Sequence, residues 1–341
     1  MASGALVSIV VLNYNGRRYL DECLSSLVAQ SYRPLEIVVV DNGSSDGSAD
    51  LVRSRYPDAR LLCLPENTGF AAGNNHAFRI AGGSYVALLN NDASASPGWV
   101  AALVRAAERF PEYGMFASRI LLHDAPGRVD KAGHLMYWDG QNKGRGSGDP
   151  DGAQFDRPAE IFFPDGCAAL YRRSLLEDVG GFDERFFAYG DDADLGIRAR
   201  LRGWKAYYVP EARVWHHHSG TAGEYSPQKI FWVERNRFWL AVKSFPLVLL
   251  AASPIFTANR FFWNALYGLF RRGAAGNFLK GHSVVVLCRT LAAAYVDAFR
   301  HIVPVWRDRG RIRGGRRLSD REFLLLMRRF GISARDLAAR E

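Results

Sequence analysis

The sequence predicts an α/β fold with a doubly wound sheet, on three observations. Short unbroken apolar runs, Val7-Ser-Ile-Val-Val-Leu12, Glu36-Ile-Val-Val-Val40 and Tyr85-Val-Ala-Leu-Leu89, have the composition of strands covered on both faces. Segments of helical periodicity separate them, which is the alternation that builds parallel sheets. Each run ends in a polar cluster, respectively Asn13-Tyr14-Asn15, Asp41-Asn42-Gly43-Ser44 and Asn90-Asn91-Asp92. Those clusters fall at the carboxyl ends of strands, where open α/β sheets bind ligands.

Taken in order, the first crossover carries Leu20, Cys23, Leu24, Leu27 and Val28 at helical spacing, so it is a helix with one buried stripe. Arg60-Leu-Leu-Cys-Leu64 reads as a further strand. Pro97 opens a helix whose buried positions are Trp99, Val100, Leu103, Val104 and Ala107. Residues 139–152 are too rich in glycine for the interior of an element and read as a loop, in a position suited to a closing lid. Asp165, Gly166 and Cys167 read as a tight turn into a small-residue strand, whose small side chains either leave room for a ligand or pack closely against a helix. Asp191 and Asp192 precede Leu195-Gly-Ile-Arg-Ala-Arg-Leu-Arg202, a charge order that a helix dipole favours whether or not the acids have a further role. After Val214-Trp215 come three histidines. Alternation along a strand would point His216 and His218 together and His217 away.

Asp41-Asn-Gly-Ser is open to two readings, a simple turn or a ligand-binding strand end. Asn90-Asn91-Asp92 is less easily a turn alone, because a carboxylate and two amides at the end of a wholly apolar strand suit a hard divalent cation.

Together these segments resemble the inverting family 2 glycosyltransferases. The resemblance rests on Val7-Ser-Ile-Val-Val-Leu-Asn-Tyr-Asn-Gly16, Val39-Val-Asp-Asn-Gly-Ser-Ser-Asp-Gly-Ser48, Asn67-Thr-Gly-Phe-Ala-Ala-Gly-Asn74, Leu88-Leu-Asn-Asn-Asp92 and Tyr189-Gly-Asp-Asp-Ala-Asp-Leu195. It covers about residues 5 to 245 and looks closest to rhamnosyltransferase-like members that build bacterial polysaccharides. It implies a GT-A type, Rossmann-like mixed sheet flanked by helices, with a catalytic domain over 1–226 divided near residue 125 into donor and acceptor halves. By the same resemblance Asp41, Asn13 and Tyr14 would hold the nucleotide base, and Asn90 and Asn91 would lie near ribose and phosphates. Asp92 would bind Mn²⁺ or Mg²⁺ with His216, Asp192 would be the catalytic base and Asp191 its companion, and Asp165, Gly166 and Cys167 would border the acceptor. The first expected donor is dTDP-rhamnose, with uridine diphosphate sugars as competitors, and the expected acceptor is a lipid-linked or growing cell-envelope glycan.

Two features depart from the family's pattern. Asn90 and Asn91 replace carboxylates of the acidic signature, so metal would arrive with the diphosphate; Asp191 stands where glutamate is common. A catalytically impaired sugar-nucleotide-binding or scaffold protein of the same fold is the alternative those departures leave open. The lack of a glycine triad of the required spacing after the first strand argues against a dinucleotide oxidoreductase.

Charge divides the chain. Residues 1–226 hold 23 Lys+Arg against 28 Asp+Glu, a net of −5, while 227–341 hold 21 against 7, a net of +14. The basic part also contains Phe238-Trp-Leu240, Leu247–Ala252, Phe261-Phe-Trp263, Leu269-Phe270 and Val284–Leu287, with Arg260, Arg271, Arg272 and Lys280 beside them. Apolar and aromatic helices with basic flanks predict a helical C-terminal region on an anionic membrane surface. Lys243, Pro246, Pro254 and Arg260 interrupt the apolar stretches, so the expected attachment is peripheral, on the inner face of the cell membrane. No nucleic-acid-binding signature accompanies the charge. Four cysteines without metal spacing, and a first strand that begins almost at once, predict a reduced cytoplasmic protein. The role of 306–341 is not readable.

Overall fold

In the computed structural model, residues 4–218 and 225–339 are described. The first half alternates strand and helix: β1 (Val7–Asn13), α1 (Arg17–Val28), β2 (Leu35–Asn42), α2 (Ser48–Arg55), β3 (Arg60–Leu64), α3 (Gly69–Ile80), β4 (Tyr85–Leu89), β5 (Ala93–Ala95) and α4 (Trp99–Arg109). β1 pairs in parallel with both β2 and β4, and β3 adds beyond β2. Because β1 is covered on both faces, its alternate residues serve different cores. Ile9 and Val11 pack with the buried stripe of α1 and with Trp99 of α4, whereas Val10 faces the opposite layer with Ala71 and Ala77 of α3. The predicted buried positions of α1 are met at Leu20, Cys23, Leu24 and Leu27, while Val28 is exposed.

The second half is β6 (Tyr113–Leu122), β7 (Val129–Lys131), β8 (His134–Met136), β9 (Asn142–Gly144), β10 (Ala159–Ile161), β11 (Ala168–Arg172), α5 (Arg173–Val179), α6 (Asp191–Leu201) and β12 (Lys205–His216). β11 runs antiparallel between β4 and β6, and β12 continues in parallel beyond β6, so the sheet is mixed with order β10-β12-β6-β11-β4-β1-β2-β3. Residues 139–152 are not a free loop. They include β9, which forms a hairpin with β8, and Asp139 is fully buried.

The C-terminal region is helical: α7 (Pro227–Ser244), α8 (Leu247–Leu269), α9 (Gly273–Gly281), α10 (Val284–Arg300), α11 (Ile302–Gly314), α12 (Asp320–Arg329) and α13 (Ala334–Ala339). α7 belongs to the main core through Trp239 and Leu240, with Phe245 just past its end, so Phe238-Trp-Leu240 is mostly packing rather than an outer apolar surface. Arg260 is also buried and binds Asp139 and Glu234 instead of facing outward. The chain end returns to the sheet domain: the Met136 amide donates to Phe330, Ile332 donates back to Met136, and Arg329 pairs with Glu160. Among the described residues no single helix is long and apolar enough to cross a membrane; α9 and α10 pass that test only as a pair, bent by 113°.

Candidate active site

The carboxyl ends of β1, β2 and β4 gather the first set of predicted residues. Asn13 and Asp41 are register partners, and the Asn13 amide donates to Asp41 Oδ1 at 3.3 Å and to Ser44 Oγ at 3.2 Å. Asn91 donates to Asn13 Oδ1 at 2.7 Å, and the Ser44 amide donates to Asp41 Oδ2. A polar floor results, with Asn13 and Asp41 buried and Tyr14 half-buried beside it. Gly16 makes the floor possible, since a Cβ there would collide with the side chains of Asn91 and Asn13. Asn90 lies apart from this network: its amide donates to Cys167 O at 2.8 Å, tying the end of β4 to the start of β11.

Asp92 and His216 meet where β12 pairs with β5, His216 Nε2 lying 3.3 Å from Asp92 Oδ1. His216 Nδ1 is 2.8 Å from Asp130 Oδ2, and His218 Nε2 is 3.2 Å from Asp130 Oδ1, while His217 turns to Glu22 at 2.9 Å. The alternation expected along the strand is therefore seen. Burial opposes a charge on His216; Cys167 and the bonds to Asp130 and Asp92 outweigh it and push the imidazole well above its ordinary pKa. The donor set fits a divalent cation. A cation here would take the place of the Nε2 proton, with Asp130 accepting at Nδ1 to orient the ring and Asp92 supplying a hard oxygen beside it.

A third cluster surrounds Asp192, the second residue of α6. Its Oδ1 accepts from the Ala193 amide at 2.7 Å, and its Oδ2 from the Gly166 amide at 3.4 Å. His134 Nε2 lies 3.6 Å from Asp192 Oδ2 and 2.8 Å from Asp165 Oδ2, which also pairs with Lys131 at 2.9 Å. The two aspartates diverge. Burial raises the Asp192 pKa, reinforced by Asp165 and opposed by His134 and Lys131. Burial acts on Asp165 in the same direction, but Lys131 and His134 override it and hold that carboxyl well below the usual range. Asp191 is deeper, its Oδ2 has no hydrogen-bond partner among the described residues, and burial together with Asp192 drives its pKa well up. Of the two, Asp191 is pushed further up and so holds its proton the more firmly. Asp194 is structural, bonded to Arg198 and Lys243.

These clusters are contiguous. The Cys167 amide donates to Asp165 Oδ1 at 2.8 Å, Gly166 contacts Asp192, and Cys167 also bonds the His216 ring. Asp130, Lys131 and His134 carry no sequence signature; they come from β7 and β8, too short for periodicity to reveal. Asn236 on α7 was equally hidden. It is fully buried and its amide donates to the carbonyls of Phe186, Ala188 and Tyr189 at 2.9, 2.9 and 2.7 Å. Phe187 and Tyr189 have φ of 61° and 67°, so that clamp holds a strained approach to Asp191 and Asp192.

Residues 8–180 match the family model described as glycosyl transferase family 2. The chain belongs to that family. It is a glycosyltransferase with a GT-A fold, similar over 243 residues, at 30% identity, to the N-acetylglucosaminyl-diphospho-decaprenol L-rhamnosyltransferase of Mycobacterium tuberculosis, covering 64% of this chain and 78% of that protein. The fold is shared with the mannosyltransferase PcManGT from Pyrobaculum calidifontis, determined with GDP-Man and Mn²⁺, at a TM-score of 0.52 and 19% identity over 91% of this chain and 86% of that one. It is also shared with S. aureus TarS, determined with UDP-GlcNAc, at a TM-score of 0.52 and 18% identity over 86% and 80% of the two chains.

Proposed function

We propose that this glycosyltransferase moves a sugar, rhamnose from dTDP-rhamnose in the first instance, onto a lipid-linked or growing cell-envelope glycan with inversion of the anomeric centre. The observation that carries the reading is the half-buried Asp192 carboxylate, raised in pKa, on the same sheet edge as the Asn13–Asp41 floor and the Asp92–His216 pair. An acceptor hydroxyl is a weak nucleophile at neutral pH. Asp192 takes its proton as the new glycosidic bond forms and the nucleoside diphosphate departs. His134 and Lys131 keep Asp165 ionised beside it and orient the acceptor turn.

In this reading Asp41, Asn13 and Tyr14 bind the base, Asn90 and Asn91 border ribose and phosphates, and Asp165, Gly166 and Cys167 line the acceptor side. Asp92 and His216 would hold Mn²⁺ or Mg²⁺, which neutralises charge on the departing diphosphate. The relative's diphospho-decaprenol acceptor supports a lipid-linked substrate here, and with it a place at the inner face of a cell membrane. No nucleic acid enters the reaction. The test is a panel of dTDP-, UDP- and GDP-sugars with a polyprenyl diphosphate-linked N-acetylglucosamine acceptor. Expected are consumption of dTDP-rhamnose, a product of inverted configuration by NMR, and its loss in Asp192→Asn. Failure of every donor to react would overturn the reading in favour of a scaffold that only binds sugar nucleotides.

A further inference from the structure

Helix α8 is amphipathic in the reverse sense for a helix that meets only water. Its inner face carries Arg260, fully engaged by Asp139 and Glu234, together with Leu249, Ser253 and Gly268. Its outer face carries Val248, Ile255, Phe262 and Leu269, exposed at 66, 72, 61 and 81%. These four recur every seventh residue, and a heptad drifts by only about 20° on a straight helix, so they form a nearly straight apolar stripe. At 1.5 Å per residue the stripe runs for roughly 30 Å. A continuous apolar stripe of that length on the outside of a protein marks a binding surface.

Charge selects the occupant. Between Glu234 and Asp297 the chain contains no acidic residue. Arg271 and Arg272 lie just beyond the end of the stripe, with Lys280 and Arg289 on α9 and α10, and all four are exposed. A second copy of this chain laid on the stripe would bring these unbalanced cations against their own kind. A bilayer rich in anionic headgroups satisfies both features, since the stripe enters the acyl boundary and the cations meet the headgroups.

We propose that α8 lies flat in an anionic phospholipid surface along Val248, Ile255, Phe262 and Leu269, with Arg271 and Arg272 on the headgroups. The proposal extends the lipid-linked acceptor reading, because it names the surface through which the enzyme would reach that acceptor.

The experiment is sedimentation of the full chain with vesicles of equal phosphatidylglycerol and phosphatidylcholine, and with phosphatidylcholine alone, across a salt series. Two surface variants accompany it, Ile255→Glu with Phe262→Glu, and Arg271→Glu with Arg272→Glu. Wild type is expected to bind the anionic vesicles, to weaken as salt screens the headgroups, and to bind neutral vesicles less. Each double variant is expected to lose at least about tenfold in partition, the first because it would carry carboxylates into the acyl boundary and the second because it sets acids against anionic headgroups. Unchanged circular dichroism and dTDP affinity would show that the variants are folded. Equal binding to neutral and anionic vesicles, wild-type partition in the stripe variant, or no vesicle binding with a dimer that the stripe variant splits in the ultracentrifuge would each overturn the proposal. The vesicle assay contains no sugar nucleotide, so failure of the transferase reading leaves its outcome intact, and failure here leaves turnover of a soluble acceptor analogue intact.

Discussion

At the scale of single residues, Asp192 is asked for two opposed things. As the second residue of a helix it accepts a hydrogen bond from the Ala193 amide, which favours the ionised form, and in the proposed role of catalytic base it needs proton affinity. Burial decides the balance, setting its pKa above the ordinary carboxylate value. Transfer needs Asp192 deprotonated, so the rate should fall with acid, and the raised pKa places that fall above the pH of roughly 4 at which an unperturbed carboxylate titrates. Asp192→Asn should lower turnover by at least ~10²-fold and abolish this acid limb, with nucleotide affinity little changed. A pH–rate profile of both proteins measures it, and a variant that keeps the limb would assign it to another group. Asn236 acts one step removed. Asn236→Ala removes a donor shared by three carbonyls around the strained Phe187 and Tyr189, so turnover should drop more than donor affinity does; equal losses in kcat and in nucleotide affinity would mark a general folding defect. Asn13, Asp41, Asp92 and Asp192 were legible because each lies at or just past the end of a strong apolar run or opens a helix with a clear charge order. Asp130, Lys131, His134 and Asn236 were not, since their nearness to the site is made by pairing across more than 30 residues of chain.

At the scale of elements, legibility follows local preference. β1, β2, β4, α1 and α4 announce themselves by period. α3 does not, because Gly69, Gly73, Asn74 and Asn75 are poor helix formers; it exists because small residues let it press on β1, where a Cβ at Gly73 would meet Leu12. The β8–β9 hairpin hid among glycines in the same way and is held by tertiary contacts. One of those is Asp139, which joins the hairpin to α7 and α8 through Arg237 and Arg260, with Glu234 completing a buried ion cluster. Burial works to raise both carboxyls, and the two arginines override it and hold Asp139 and Glu234 below their ordinary values. Depressed carboxylates stabilise the fold above their unfolded pKa values, and that contribution is lost as pH falls through the folded ones. Arg260→Met should therefore cost about 3–5 kcal/mol near neutrality, because it strands buried charge. The deficit should narrow on acidification toward pH 4, where the carboxyls can protonate. Denaturant titrations of both proteins at several pH values would show it, and a deficit independent of pH would reduce Arg260 to a packing residue.

Across the whole molecule, the proposed donor site is assembled from the sheet rather than from any one part of it. Asn13 comes from β1, Asp41 from β2, Asn91 and Asp92 from beyond β4, and His216 from the far end of β12, across β6 and β11 in the strand order. A ligand that touches all of them binds the native arrangement and not the unfolded chain, so its binding energy appears as global stability. At a concentration a hundred times its Kd, that is ~2.7 kcal/mol, enough to raise Tm by a few degrees. With only one carboxylate in the Asn90-Asn91-Asp92 cluster, metal alone should bind weakly and shift Tm little. dTDP or UDP alone should give a modest shift, and nucleotide with Mn²⁺ a larger one than the two separate shifts combined, because diphosphate and Asp92 share the cation. Asp92→Ala should keep the nucleotide shift and lose the excess brought by Mn²⁺, and His216→Ala should reduce that excess. Thermal unfolding with and without a chelator separates these cases. If Mn²⁺ adds the same increment to wild type and Asp92→Ala, the cation sits elsewhere, and the departing diphosphate is stabilised by other groups on this sheet edge.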